Sequence, residues 1–237
     1  MNSFTSSKEK RKYVRNMFNS IFERYDFLNH LLSAGVDKRW RRKAIIISGL
    51  NQGESFLDVA CGTGDLSIEA SKRKPEKIVA IDFAEKMLRG FVEKKRKLNL
   101  DGIIDIVQGD AEKLPFAEGM FDVASVAFGV RNFGDTGAGL REMHRVLKKN
   151  GRLVVLEFSK PNRPIFRSLY FFYFRRILPL IGRIFSPYGK AYNYLPESVS
   201  AFPDGKEFEE EMVKAGFHDI KSIPLTFGIA TVYVGKA

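Results

Sequence analysis

The chain has 237 residues, 44% of them hydrophobic, which is enough to bury one sizeable α/β core. Cys61 is its only cysteine, which excludes an internal disulfide and a zinc site built from several cysteines. The formal net charge of +11 indicates an anionic partner such as nucleic acid, anionic lipid or an acidic substrate. The cationic clusters are scattered along the chain, as on solvated helix faces, so charge alone does not choose among these partners.

The N-terminal residues 1–50 predict a helical layer ahead of the first strand. The first ten residues lack the apolar core of a signal peptide, and no apolar run reaches the ~18 residues of a membrane span, so a cytoplasmic location is expected. A short helix is predicted within 26–35, and Asp37 is predicted to cap a helix over 38–47. Aromatic residues in this layer can cover a site or simply pack onto the sheet, and packing is the preferred interpretation for most of them. One face of the first helix is predicted to be apolar, because apolar residues recur there at helical spacing: Val14, Phe18, Ile21, Phe22 and Tyr25.

Residues 55–65 predict a buried strand that ends in a glycine loop and leads into a helix. Gly62 and Gly64 allow bare backbone to approach a ligand closely. Ser67 stands where a dinucleotide fingerprint has its third glycine, and the charge of Asp65 would repel a phosphate. The loop therefore favours a cationic nucleoside without phosphate, such as S-adenosylmethionine. A tight turn that binds no ligand is the alternative.

Two further predicted strands end near acidic residues. The strand over 77–82 ends at Asp82, which lies 24 positions beyond Asp58, near the spacing of about 20 residues that is typical of a ribose-binding carboxylate. Asp82 could instead cap the helix that follows. The strand over 104–108 leads to Asp110, where an adenine amino group could reach a carboxylate.

The remaining pattern predicts a Rossmann-like α/β fold in a single domain over 1–237, with a mostly parallel seven-stranded sheet and a C-terminal antiparallel hairpin. Sites in such sheets lie outside the carboxyl ends of the strands, where the loops with Gly62, Asp82, Asp110 and Arg131 are expected to converge. The later elements are predicted as a strand over 121–128, a helix over 136–149, a strand over 152–158, a helix over 204–215 and hairpin strands over 219–225 and 229–235.

Residues 159–196 interrupt the alternation with seven cations, no acid and many aromatic side chains. Such a segment can lie in a membrane interface and attract anionic lipid. It can also stack on nucleic-acid bases. A cap helix buried against the domain, over the substrate site, is an equally open alternative.

Four stretches carry a family resemblance: 25–29 with 38–41, 57–65, 109–116 continuing to 128–133, and 145–161. Through them the chain resembles the class I methyltransferases, and more closely the family that methylates quinone rings in menaquinone and ubiquinone biosynthesis. The resemblance implies C-methylation of a reduced, polyprenylated quinone with S-adenosyl-L-methionine as donor, and no metal is expected. The loop and the family's contacts together predict these cofactor-binding residues: Asp58, Gly62, Thr63, Gly64, Asp82, Asp110 and Ala111. Ala127 departs from the pattern, because some relatives carry a cofactor-contacting serine there.

Reactivity suggests the catalytic residues. A ring carbon becomes nucleophilic when a neighbouring phenol loses its proton, and a free phenol has a pKa near ~10, so the phenolate needs stabilising. Arg131 is the predicted stabiliser because its charge is permanent, and Asn132 is its orienting partner. Asp110 could relay the proton through water, although adenine binding suits it better. The three histidines make no obvious base.

The expected partners are a polyprenylated hydroquinone and a membrane surface, and a homo-oligomer is compatible with the sequence. Nucleic acid is not expected, because no separate RNA-binding module is visible. An RNA methyltransferase and a non-catalytic binding protein remain the competing hypotheses. The stretches 26–33 and 37–43 look most like versions that serve menaquinone alone, and a ubiquinone role stays open.

Overall fold

The computed structural model describes residues 4, 6–33, 35–161 and 190–237. Its strands form one sheet, in chain order β1 (Ser55–Val59), β2 (Lys77–Asp82), β3 (Ile104–Gln108), β4 (Phe121–Ala127), β5 (Leu147–Phe158), β6 (His218–Leu225) and β7 (Ala230–Lys236). The helices of this part of the chain are α1 (Ser7–Leu32), α2 (Val36–Ile47), α3 (Asp65–Ser71), α4 (Glu85–Lys97), α5 (Thr136–Val146), α6 (Lys190–Ala201) and α7 (Lys206–Lys214).

The strand order is β3-β2-β1-β4-β5-β7-β6. The first five strands pair in parallel, and β7 runs antiparallel to both β5 and β6. The chain winds outward from β1 to β3 and then returns to place β4 on the other side of β1. Ligands of such sheets bind at this switch point, outside the carboxyl ends of the strands. The predicted fold class is confirmed.

The apolar residues of β1 pack into two layers of the core, one on each face of the sheet. Phe56 packs with Trp40 of α2 and Ile78 of β2 on one face of the sheet. Leu57 packs with Met143 of α5 in the other layer. Because neighbouring side chains of a strand point to opposite faces, a strand covered by helices on both sides must be apolar throughout. Phe56 and Leu57 are fully buried, which stabilises the fold by about 1.5–3 kcal/mol each.

The N-terminal layer differs from the prediction in two places. The separate short helix predicted within 26–35 is wrong, because α1 continues from Ser7 to Leu32 and its sequence contains neither glycine nor proline. The capping role of Asp37 is also wrong. Helix α2 follows Gly35, which adopts a left-handed φ of 73°, with no side-chain cap. Asp37 lies in the first turn, where its carboxylate accepts hydrogen bonds from Ser33 Oγ and Arg41 Nη1.

The helix predicted over 136–149 ends three residues early. Helix α5 stops at Val146, and the next residues join β5, where Leu147 pairs with Phe121 of β4. The N–H of Asn150 donates to the carbonyl of Ala237 at 2.9 Å. Strand pairing on both sides of residues 147–149 therefore takes the place of a further helical turn.

Most of the insertion over 159–196 lies outside the described residues, since 162–189 are not described; α6 covers its end. The membrane and cap interpretations of this segment therefore stay predictions. Within the described ranges, none of the helices combines the length and apolarity that crossing a membrane requires.

Replacing Gly64 by alanine is expected to destabilise the fold strongly. Gly64 precedes α3 with a φ of 83°, and an added Cβ would overlap the buried ring of Phe91. Left-handed strain of about 1–2 kcal/mol and overpacking of about 1–3 kcal/mol should add in the free energy of unfolding, measured by urea denaturation.

The matched control is Gly62→Ala, because Gly62 has a φ of 57° but no atom within 4 Å of the added Cβ. This variant should show only the strain of about 1–2 kcal/mol. Equal losses in the two variants would contradict the close packing of Gly64 on Phe91.

Candidate active site

A cavity opens outside the carboxyl ends of β1, β2, β3 and β4, at the switch point of the sheet. It brings together most of the residues that the sequence predicts for a site, on loops that are far apart in the chain. Gly64 and Arg131 are not part of its wall. The predicted residues that line it are Asp58, Gly62, Thr63, Asp82, Asp110, Ala111 and Asn132.

The loop after β1 keeps its shape through backbone conformations that side chains rarely adopt. Ala60, Gly62 and Gly64 all have positive φ, of 53°, 57° and 83°. Ala60 occupies the first position of the glycine triplet, so its methyl group carries about 1–2 kcal/mol of strain. The Cys61 thiol also lines the cavity, and burial raises its pKa well above the usual range. A thiol that stays protonated is a poor nucleophile.

The capping alternative for Asp82 is wrong, because α4 follows Ala84 with no side-chain cap, and Asp82 lines the cavity instead. Its Oδ1 accepts a hydrogen bond from the N–H of Ala84, just before α4, at 2.8 Å. Its Oδ2 accepts one from the N–H of Gly62, also at 2.8 Å. Each carboxylate oxygen can accept a further bond, so hydroxyl groups of a ligand can still be bound. Burial raises the pKa of Asp82, and the backbone hydrogen bonds oppose this.

Asp58 explains why a serine stands at position 67. Ser67 Oγ donates to Asp58 Oδ2 at 2.6 Å, and both side chains are buried. Burial raises the pKa of Asp58 to about 7, and the hydrogen bonds from Ser67 oppose the shift. A glycine at position 67 would leave this carboxylate without that donor.

The carboxylate of Asp110 is bound by two residues, one on helix α1 and one in its own loop. Arg11 of α1 forms an ion pair with Asp110 Oδ2 at 2.8 Å, and it also reaches Glu112 at 3.3 Å. The N–H of Glu112 donates to Asp110 Oδ1 at 3.0 Å. Arg11 and Phe18 both line the cavity, so α1 covers part of the site. The charge pair was not predicted, because nothing local marks Arg11.

Trp40, in contrast, behaves as a packing residue. Its ring is 6% exposed and lies at 6.1 Å from the rings of both Phe128 and Phe158, centroid to centroid. Its indole N–H donates to Thr226 Oγ1 at 2.8 Å. The packing interpretation therefore fits Trp40, whereas Phe18 belongs to the cavity wall.

Arg131 lies behind the cavity wall in a buried ion pair. Its Nη1 bonds to Glu157 Oε1 at 2.7 Å and to the Phe128 carbonyl at 2.5 Å. The Arg131 side chain is 8% exposed and that of Glu157 is fully buried. Burial raises the pKa of Glu157, and the charge of Arg131 opposes the shift. The neighbouring residue Asn132 reaches the cavity itself.

Three buried polar atoms near this ion pair lack a hydrogen-bond partner within the described residues: Arg131 Nε, Asn132 Oδ1 and Tyr194 Oη. Tyr194, on α6, is 6% exposed, and burial raises its pKa to about 12. A phenol that stays protonated can donate a hydrogen bond. Tyr194 was missed by the sequence analysis, because only the packing of α6 brings it near Arg131.

Neither of the two histidines whose side chains the structure describes, His144 and His218, lines the cavity. The ring of His144 packs edge-on against Phe217, with centroids 5.1 Å apart, and His218 is exposed at the start of β6. The side chain of His30 lies outside the described part of the structure. Ala127, the departure from the family pattern, lines the cavity.

The free energy of unfolding should fall as the pH rises toward 8, in part because of Asp58. Its folded pKa of about 7 lies above the unfolded value near ~3.9, so the protonated form stabilises the fold and that contribution disappears above pH 7. The full effect is on the order of 4 kcal/mol between pH 4 and 8.

Asp58→Asn is the matched comparison, since it keeps the shape and removes the titration. Urea denaturation at several pH values should give a shallower pH dependence for this variant than for the unchanged chain. Parallel pH profiles would show that Asp58 does not titrate in this range.

Comparison with solved structures places the fold among S-adenosylmethionine-dependent methyltransferases. A putative S-adenosyl-L-methionine-dependent methyltransferase from Methanococcus maripaludis covers 92% of both chains with a TM-score of 0.65 at 21% identity. The [4+2]-cyclase SpnF covers 98% of this chain and 96% of its own, with a TM-score of 0.67 at 15% identity. Since the second protein is named a cyclase, these likenesses show the fold alone.

Sequence comparison is more specific. A ubiquinone/menaquinone biosynthesis C-methyltransferase UbiE from Citrifermentans bemidjiense is 48% identical over 96% of this chain and 97% of its own. A demethylmenaquinone methyltransferase from Bacteroides fragilis is 39% identical over 97% of this chain and 94% of its own. Residues 4–237 match the ubiE/COQ5 methyltransferase family. With the relatives aligned over nearly their full length, this match shows that the chain belongs to the ubiE/COQ5 methyltransferase family.

Proposed function

We propose that the chain transfers a methyl group from S-adenosyl-L-methionine to a ring carbon of demethylmenaquinol, which gives menaquinol. The observation that carries the proposal is the cavity at the switch point, lined by the glycine loop and by Asp58, Asp82 and Asp110. Its acidic wall suits a cationic donor. The names of the relatives support a quinone as the acceptor.

The order of the strands supports an assignment of the donor side of the cavity. Asp110 and Ala111, beyond β3, would bind the adenine, and Asp82 at the end of β2 would accept hydrogen bonds from the ribose hydroxyls. Asp58, Gly62 and Thr63 at β1 would then border the methionine part. The bound cofactor supplies an activated methyl group, so the protein's task is to align the acceptor with it.

On the acceptor side, Arg131 and Asn132 are the proposed stabilisers of the phenolate. Their Nε and Oδ1 atoms are buried and have no partner within the described residues, which supports a ligand or water beside them. Glu157 holds the guanidinium in one orientation. Asp110 is the proposed adenine-binding residue: Arg11 and the N–H of Glu112 hold its two oxygens in place, and each oxygen can accept a further hydrogen bond.

A hydrophobic quinone resides in the membrane. We therefore also propose that the basic aromatic segment within 159–196 brings the enzyme to an anionic membrane surface. The segment's composition supports this step, since it carries seven cations and no acid. Relatives are named both for ubiquinone/menaquinone biosynthesis and for demethylmenaquinone alone. The menaquinone assignment rests on the resemblance of the N-terminal stretches.

The direct test is methyl transfer from labelled S-adenosylmethionine to reduced demethylmenaquinone, beside a reduced ubiquinone precursor. The acceptors are presented in neutral and in anionic vesicles, and the methylated product is quantified by mass spectrometry. We expect transfer to demethylmenaquinol, faster from anionic vesicles and lost when the quinone is kept oxidised, because only the hydroquinone can form a phenolate.

Transfer to the ubiquinone precursor alone would reassign the substrate within the family. Equal rates from neutral and anionic vesicles would contradict the proposed attraction of the basic segment to an anionic membrane. Cofactor binding without transfer to any reduced quinone would refute the proposed reaction.

Removing the charge of Arg131 should slow methyl transfer without weakening cofactor binding. The single variant Arg131→Gln leaves Glu157 buried without its cation, which costs about 3–5 kcal/mol of stability. The double variant Arg131→Gln/Glu157→Gln removes both charges and is the one to assay. Its kcat should fall about 10²–10³-fold, as expected for a lost charge stabiliser. The measurement compares kcat with the cofactor Kd from calorimetry; an unchanged kcat would leave Arg131 a purely structural partner of Glu157.

A further inference from the structure

Two cations line the cavity among the described residues, and they lie at opposite ends of it. Arg11 lies beyond β3, where Asp110 and Glu112 bind its guanidinium. Arg41, on α2, lies beside the glycine loop and the end of β4. Its guanidinium carbon is 5.3 Å from the centroid of the Phe128 ring. No function was assigned to Arg41 from the sequence.

The strand order determines which part of the proposed cofactor meets each cation. Because β3, β2, β1 and β4 are successive neighbours, adenine at Asp110 and ribose at Asp82 leave the methionine part at β1 and β4. That part carries the cofactor's single carboxylate. Arg41 is the cation on the cavity wall at this end, within the part of the chain that the structure describes.

The guanidinium of Arg41 is held on one side. Its Nη1 donates to Asp37, one turn earlier on α2. Ser33 Oγ donates to the other oxygen of Asp37 at 2.7 Å, which fixes that carboxylate in turn. Arg41 is 9% exposed. A side chain ordered in this way loses little conformational entropy when it binds a ligand.

The other side of the guanidinium remains able to bind an anion. The Nη2 atom lies 3.9 Å from Asp65 Oδ2, which is beyond hydrogen-bond distance. Asp65 is closer to Lys94, which reaches its Oδ1 at 2.8 Å and also bonds to Thr63 Oγ1. Of these two cations, Lys94 is therefore the closer to Asp65.

We propose that Arg41 binds the carboxylate of the methionine part of S-adenosylmethionine, and so selects donors that retain this group. The inference rests on the proposed cofactor but not on the quinone acceptor. Arg41 is a binding residue in this role, with Asp37 and Ser33 as the groups that position it.

The test compares two ligands on three proteins by isothermal titration calorimetry. S-adenosylmethionine and its decarboxylated form differ by the one carboxylate. The proteins are the unchanged chain, Arg41→Gln, and Arg42→Gln, which removes an exposed cation from the same helix. The unchanged chain and Arg42→Gln should bind S-adenosylmethionine about 10- to 100-fold more tightly than the decarboxylated form, as expected for one charge-assisted contact.

Arg41→Gln should lose most of this preference, because its affinity for S-adenosylmethionine falls while that for the decarboxylated ligand stays the same or rises. If Arg41→Gln does not fold, Arg41→Lys takes its place and should retain part of the preference. Equal weakening for both ligands would overturn the proposal, since it would show a structural role of the Asp37 pair. Equal binding of the two ligands by the unchanged chain would overturn it as well. Binding of neither ligand would refute the cofactor assignment itself, and the proposal with it.

Discussion

The carboxylate of Asp82 connects the loop after β1 with the start of α4, through hydrogen bonds from the N–H groups of Gly62 and Ala84. Both bonds are 2.8 Å long, and the side chain is 7% exposed. The glycine loop depends on this connection, since its positive φ values cost energy that the surroundings must repay. The loop forms one part of the cavity wall, and the ends of the neighbouring strands, which the sheet holds in place, form another.

The buried acids around the site are stabilised in different ways. Glu157 has a full counter-charge in Arg131, whereas Asp58 is bound by the neutral hydroxyl of Ser67 and Asp82 by backbone N–H groups. Within the described residues, no cation lies within ion-pair distance of Asp58 or Asp82. Burial raises the pKa of both, so a cationic ligand would favour their ionised forms. The site is therefore prepared for positive charge in a way that a phosphate-binding loop is not.

Helix α1 adds a cover that depends on charge as much as on apolar packing. Arg11 reaches Asp110 and Glu112, and Lys10 donates to the carbonyl of Arg131 at 3.1 Å. The helix therefore contacts the loop after β3 and the turn that carries Arg131. It places Phe18 on the cavity wall between them. A ligand of this cavity is thus bordered by residues from the beginning and from the middle of the chain.

The sequence by itself determined the fold class and indicated the edge of the sheet where the cavity lies, because both depend on local patterns. Apolar runs mark buried strands, glycines mark the loop, and acids at strand ends must meet at one edge of a parallel sheet. It did not determine the partners of those residues: the Arg11–Asp110 and Arg131–Glu157 pairs join positions far apart in the chain. Even Asp37 was misassigned, since whether a carboxylate caps a helix or holds Arg41 depends on the backbone of Gly35 and on the packing of α2. Only the tertiary structure decided which charges are paired and which face the cavity, because long-range packing brings them within bonding distance.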